Sequence, residues 1–210
     1  IGASQRPVFE PTHLSVGHEK EHKMVLRKDP QIIEELKECI RRHRSTEAAI
    51  DELHEKYESA NRDIYYGYIV KLFQIIGYDC RLSRGGQNYE RADAILFIGG
   101  KAVPIEIKSP GEEKELSVKG IRQALENKII LLARNTYPTD RNITSLVVGY
   151  NTPNTRSEVH ELIEDIFTAY EIKIGVIGFK ALLAFALSAV VDERVSGIKD
   201  LENLKGVSHA

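Results

Sequence analysis

Ala92-Asp93-Ala94-Ile95-Leu96-Phe97-Ile98-Gly99-Gly100-Lys101-Ala102-Val103-Pro104-Ile105-Glu106-Ile107-Lys108 is the stretch that decides the fold. Two apolar runs flank a Gly-Gly pair. Such a pair between β-formers signals a two-residue hairpin, because both turn positions can require φ > 0. The turn sets a register in which opposed residue numbers sum to 199, from 98 with 101 back to 93 with 106. Asp93 is then expected to face Glu106 across the ladder, with Lys108 on the same face. By alternation that pair is non-hydrogen-bonded, the type that brings Cβ atoms to roughly 4.5–5.5 Å. Opposed carboxylates repel, and a shared metal ion is the simplest reason to keep them together. Pro104 falls where its missing N–H costs the hairpin nothing. A strand on its other side is therefore expected to begin beyond Pro104, or to be bulged there.

Working outward, Asp29-Pro30 opens a helix, with Asp as cap and Pro at the first helical position. Ile32, Ile33, Leu36 and Ile40 form its apolar face, and Arg41-Arg42-His43-Arg44 closes it with cations. A second helix runs from about Glu47 to Tyr57. Ile64 to Ile76 is a third, ended by Gly77, and Tyr78 to Leu82 reads as a strand. Ser83 to Glu90 is a polar loop. After the hairpin, Pro110-Gly111 breaks the chain. A helix follows from about Ser117 to Arg134, its stripe read as Val118, Ile121, Leu125, Ile129 and Leu132. Ser145 to Tyr150 and Ile172 to Phe179 are apolar strands, separated by a helix from Glu158 to Tyr170. Lys180 to Val191 is a last helix, serving as a core element or a dimer face. A hairpin followed by β-α-β units implies a three-layer α/β/α fold around a central mixed sheet, with an added N-terminal helical segment. The chain divides into an arm or linker (1–28), a helical segment (29–60), a core (61–195) and a C-terminal tail (196–210).

The 210 residues suffice for one sizeable domain. Cys39 and Cys80 are far apart and without metal spacing, which suits buried thiols in a reducing cytoplasm and argues against a disulfide scaffold. No apolar run reaches membrane-spanning length and no signal peptide is visible. The chain opens on Ile1 rather than Met, as an excised domain of a longer protein would. A net charge of −2 excludes attraction to nucleic acid by the molecule as a whole, so such binding must use local basic faces.

Asp93, Glu106 and Lys108 form the pattern D-x12-E-x-K. Two carboxylates suit Mg²⁺, which keeps several waters of its own. The lysine can orient a water, help deprotonate it, or stabilise a crowded phosphate. Val103-Pro104-Ile105-Glu106-Ile107-Lys108 after Asp93 resembles the PD-(D/E)xK nuclease superfamily, the restriction-endonuclease-like proteins. The resemblance covers about residues 61 to 180. It implies an Mg²⁺-dependent DNA endonuclease, Mn²⁺ substituting, that hydrolyses phosphodiesters with a metal-activated water. It implies that Asp93, Glu106 and the Ile107 carbonyl bind the metal and that Lys108 is catalytic. Gln123 lies where resolvase-like and RecB-like members carry a site-facing Gln. The acid often found about eleven residues before a Gly-Tyr is replaced by Tyr66, with Asp63 or Glu58 as possible substitutes.

Basic residues gather around this centre. Arg84, Arg91, Lys119 and Arg122 are the candidate DNA contacts, with Arg81, Lys114 and Lys128 nearby. The bland alternative is a solvated mixed-charge surface, with Lys108 merely neutralising Glu106 at an exposed hairpin end. His13, His18 and His22 lack the cysteine support of a zinc site. The expected partner is double-stranded DNA. A homodimer or a separate recognition domain would complete duplex cleavage in a restriction system. Two other readings are a structure-selective repair or resolvase nuclease, and a nuclease-like module that binds nucleic acid without cutting it.

Overall fold

The computed structural model describes residues 28–43, 45–83, 91–134, 136–154, 156–192 and 197–208. Residues 1–27 of the predicted arm, with His13, His18 and His22, and residues 84–90 of the predicted loop lie outside them.

Local sequence signals account for where the elements begin and end. Helix α1 (Pro30–Arg42) starts at Asp29, whose Oδ1 accepts from the Gln31 N–H at 2.9 Å. Helix α2 (Thr46–Lys56) is capped by Ser45. Helix α3 (Arg62–Ile76) is capped by Asn61 and ended by Gly77 at φ 113°, a left-handed conformation that glycine adopts without penalty. Strand β1 (Asp79–Leu82) follows, then the hairpin β2 (Ala94–Ile98) and β3 (Lys101–Lys108). Gly99 and Gly100 have φ of 55° and 76°, the positive values that the tight turn needs. Helix α4 (Val118–Arg134), strand β4 (Ser145–Gly149), helix α5 (Glu158–Tyr170), strand β5 (Ile174–Gly178) and helix α6 (Phe179–Val191) complete the expected order.

The sheet runs β1-β2-β3-β4-β5 and then a sixth strand, β6 (Gly206–Ser208). β1, β2 and β3 are antiparallel, and β3 through β6 are parallel. Residues 196–210, read as a tail, therefore contain an edge strand. Three residues are too few for a visible alternation, and long-range bonds carry this segment instead. Thr144 Oγ1 donates to the Leu204 carbonyl at 2.7 Å, and the Gly197 N–H donates to the Ile76 carbonyl at 2.8 Å. The segment 29–60 is likewise no appendage, because Leu36, Cys39, Ala49 and Leu53 belong to the main core cluster with α3 and α6.

The hairpin pairs Ala94 with Ile105 and Ile98 with Lys101, the register that the turn demands. β4 joins β3 from Ile105 onward, immediately after Pro104. Proline is tolerated because neither neighbour needs its N–H. β4 and β5 are buried at every position, as interior parallel strands must be.

Helices cover both faces. Leu96, Val103, Ile105, Ile107 and Val148 pack toward α1, α2, α3 and α6. Val147, Ile174 and Val176 pack toward α4 and α5. α6 buries Phe179, Leu182, Leu183, Ala186 and Leu187, so it is a core helix. The α4 stripe is corrected. Ile129 is 46% exposed, and the buried face is Gly120, Ile121, Ala124, Asn127, Lys128 and Leu131. Two polar residues on that face hid it from a hydrophobicity reading. No helix among the described residues is long and apolar enough to cross a membrane.

Candidate active site

Strand alternation puts Ile105 and Ile107 into the α3 side of the core and leaves Glu106 and Lys108 on the α4 side. Both are almost fully buried, at 4% and 5% exposure. Lys108 Nζ donates to Glu106 Oε1 at 2.9 Å, and Asn127 Nδ2 donates to Glu106 Oε2 at 2.8 Å. Both carboxylate oxygens are thus held. Gly120 makes room on α4: a Cβ there would meet Leu116 Cδ1 at 2.8 Å and Lys108 Cε at 3.7 Å.

Asp93 departs from the expected register in one respect. The ladder ends at Ala94 and Ile105, and Asp93 does not pair with Glu106. Its own N–H donates to the Ile105 carbonyl at 3.0 Å, while its side-chain Oδ2 accepts the Ile107 N–H at 2.8 Å. The side chain takes over as acceptor where the ladder ends. Asp93 still lies within the field of Glu106. Burial first, then that negative neighbour, push its carboxyl up to about 6. The bond from Ile107 and the cations Arg62 and Lys108 oppose the shift without cancelling it.

Three further residues complete the centre, and sequence reasoning did not single out any of them for a role. Asn127 lies one helical turn beyond Gln123 on α4, a spacing of four that was legible in the sequence. Glu112 reaches back from the loop after β3. Its Oε2 accepts from Ser109 Oγ at 2.8 Å and from the Ser109 N–H at 3.2 Å. Arg62 lies between carboxylates, with Nη2 3.5 Å from Asp93 Oδ1 and Nε 3.7 Å from Glu112 Oε1. Its guanidinium covers the Tyr66 ring at 4.8 Å. Tyr66, where an acid was expected, has its hydroxyl 2.6 Å from the Ile107 carbonyl and 3.0 Å from Glu112 Oε2. Burial holds that hydroxyl in its protonated, donating form.

The remaining candidates fall as follows. Gln123 is half-buried, and its Oε1 is buried without a partner among the described residues. Glu58 pairs with Lys114 at 2.6 Å, and Asp63 is exposed in the first turn of α3. Neither meets Asp93, whereas Glu112 stands beside Tyr66. Arg91 is exposed and ion-paired to Glu126, and Lys119 and Arg122 are exposed on α4. Arg84 lies outside the described residues. Arg81 pairs with Asp79 at 2.7 Å. Lys128 is fully buried and donates to Thr139 Oγ1 at 3.2 Å, so it is no surface cation.

Asp93 offers carboxylate oxygens within the field of Glu106, and Ile107, whose N–H bonds Asp93, offers a carbonyl oxygen. A carboxyl raised by burial and then by a negative neighbour, among oxygen donors, fits a hard divalent cation.

No protein-family model matches the chain, and no curated protein matches it. Among solved structures, the restriction endonuclease FokI is similar, with a TM-score of 0.53 and 14% identity. The match covers 78% of this chain and 31% of FokI, so the chain corresponds to under a third of that protein. The likeness shows the fold: a restriction-endonuclease-like α/β sandwich of a mixed sheet between helices.

Proposed function

We propose that the chain is an Mg²⁺-dependent DNA endonuclease module of the PD-(D/E)xK type, with Asp93, Glu106 and Lys108 as its centre. One observation carries this reading. Buried Glu106 is held by Lys108 and Asn127, while the neighbouring Asp93 carboxyl, raised to about 6 by burial and then by Glu106, has Arg62 facing it at 3.5 Å. A merely structural site would be expected to neutralise both acids. Here three acids, Asp93, Glu106 and Glu112, face two cations, Lys108 and Arg62, a balance that suits a cation-binding centre.

A divalent cation bound there would supply Lewis acidity and lower the pKa of a water molecule. Asp93, Glu106 and the Ile107 carbonyl are the groups to hold it. Lys108 Nζ can orient the attacking oxygen, take up a proton change or offset charge on the phosphate. Asn127 fixes the Glu106 carboxylate plane. Arg62, with 59% of its side chain exposed, can release its carboxylates and take a phosphate oxygen. Lys119, Arg122 and Arg91 are suited to hold the backbone on either side. The fold likeness to a restriction endonuclease supports a cleavage module of that class. One such centre cuts one strand, so duplex cleavage takes a second copy or a partner carrying recognition.

The test pairs cleavage with stability. Asp93→Asn should remove Mg²⁺-dependent cleavage of mixed duplex, nicked and branched DNA while folding at least as stably as the parent. Lys108→Ala should lower cleavage by about 10²-fold or more. Parent protein that releases no product, or variants that cut as well as the parent, would refute the proposal.

A further inference from the structure

A second group of donors lies on the N-terminal helical pair, apart from the oxygen centre. Cys39 and His43 are four residues apart at the end of α1, a spacing that sets two side chains on one helical face. Glu52 comes from the middle of α2. A ligand atom from each of the three lies within 4.8 Å of the other two. We propose that Cys39, His43 and Glu52 form a zinc site that clips α1 to α2.

The donor set argues for the metal. A thiolate is too soft a ligand for Mg²⁺, while sulfur, imidazole nitrogen and carboxylate oxygen together suit borderline Zn²⁺. Zinc bonds of about 2.0–2.3 Å put tetrahedral ligands roughly 3–4 Å apart, so the side chains need only a small adjustment. Cys39 forms the floor with no exposure. His43 and Glu52 form the rim, their side chains 29% and 32% exposed. An ion can enter from that side, and water can take the fourth position.

The surroundings also resemble a ligand shell. Arg42 Nη2 bonds Glu52 Oε1 at 2.6 Å, and the other carboxylate oxygen, Oε2, meets the His43 ring. Arg42 thereby fixes the carboxylate while leaving one oxygen for the ion, the part that partners behind a ligand commonly play. The thiol donates to the Ala49 carbonyl at 3.3 Å, and burial holds it protonated. Zinc replaces that proton: the S–H bond breaks, an S–Zn bond forms, and the proton passes to solvent. His43 binds as neutral imidazole. No electron transfer and no co-reactant are needed. Only residues 43–45 link α1 to α2, so one ion between the helices fixes their angle where they pack on α6.

The full chain, stripped with chelator, should be titrated with Co²⁺ and then Zn²⁺. One equivalent of Co²⁺ should give a near-ultraviolet thiolate-to-cobalt charge-transfer band, which Zn²⁺ should abolish. The Asp93 centre contains no sulfur and cannot produce the band. Cys39→Ser, His43→Gln and Glu52→Gln should each lose or shift it, whereas Cys80→Ser and Asp93→Asn should keep it. Zinc should raise the melting temperature of the parent and of Asp93→Asn, but not that of His43→Gln. A parent without the band, a band that survives Cys39→Ser, or one unmoved by both rim substitutions would overturn the site. His43→Gln changes a partly exposed helix end, so it decides the matter even where Cys39→Ser fails to fold.

Discussion

Asn127 Nδ2 donates to Glu106 Oε2 at 2.8 Å, with both side chains buried between α4 and the sheet. Asn127 is the only group besides Lys108 found bonding this carboxylate among the described residues. Asn127→Ala leaves a buried oxygen unpaired, which costs about 1–3 kcal/mol. Asn127→Asp adds a negative charge at the same place and should destabilise more. Urea unfolding in chelator checks the order: parent, then Asn127→Ala, then Asn127→Asp. Added Mg²⁺ should narrow the gap between parent and Asn127→Asp, because the cation offsets the added charge. An Asn127→Asp protein as stable as the parent without metal would contradict the clamp.

Asp93 gives a pH signature. Its folded carboxyl titrates at about 6, above the ordinary 3.8. Below pH 4 both the folded and the unfolded states carry the proton, and the site costs nothing. Between about 4 and 6 the folded state holds more protons than the unfolded, so stability falls as pH rises. Above 6 the whole cost is present, about 3 kcal/mol by linkage. Asp93→Asn keeps an acceptor for the Ile107 N–H and removes the charge. In chelator it should exceed the parent at pH 7 and converge with it at pH 4. Mg²⁺ should then stabilise the parent and leave the variant nearly unmoved. Urea midpoints across pH 4–8, with and without Mg²⁺, test both statements.

The hairpin, its register and the Pro104 tolerance were legible because period-two alternation and a Gly-Gly turn are strong local signals. The site was only partly legible. Glu106 and Lys108 follow from alternation, but the side-chain bond from Asp93 to the Ile107 N–H arises where the ladder stops, and no pattern marks that residue. Glu112 reaches Tyr66 through a loop, whose path periodicity cannot trace. Asn127 and Lys128 were hidden for a different reason. A hydrophobic stripe was sought on α4, and the true inward face carries a clamp residue and a buried cation. Strand β6 is short and paired only by long-range bonds, so the sequence around it reads as a tail.

Lys128 is a second titration site, of opposite sign. It is fully buried, and loss of solvation pushes its amine down to about 8, with Lys101 adding to the shift and Asp140 opposing it. Below pH 8 both states are charged and the cost of burying the ammonium is complete. Between about 8 and 10.5 the unfolded state holds more protons, so stability rises with pH. Lys128→Met should therefore stabilise the protein at pH 7 by up to about 3 kcal/mol, less the bond to Thr139. Thr139 keeps its own bond to the Ala102 carbonyl. The advantage should shrink as pH approaches 10, measured by urea unfolding from pH 7 to 10. A gap that does not narrow over this range would mean that the amine is not the titrating group.

Glu112 separates two views of the third acid. On α3 the expected carboxylate is replaced by Tyr66, and Glu112 meets that hydroxyl at 3.0 Å from the loop side. Arg62 spans Glu112 and Asp93, so the two acids share one cation. Glu112 should therefore serve the centre, and Glu58 and Asp63 should not. Glu112→Gln keeps an oxygen for Ser109 and loses the charge, so folding should change by less than about 1 kcal/mol. Its Mg²⁺-dependent rise in melting temperature should be smaller than the parent's, and cleavage should need more Mg²⁺. Glu58→Gln and Asp63→Asn should match the parent in both. If either of these blunts the Mg²⁺ response while Glu112→Gln does not, the third acid comes from the helical side after all, and Glu112 only ties the loop to Ser109.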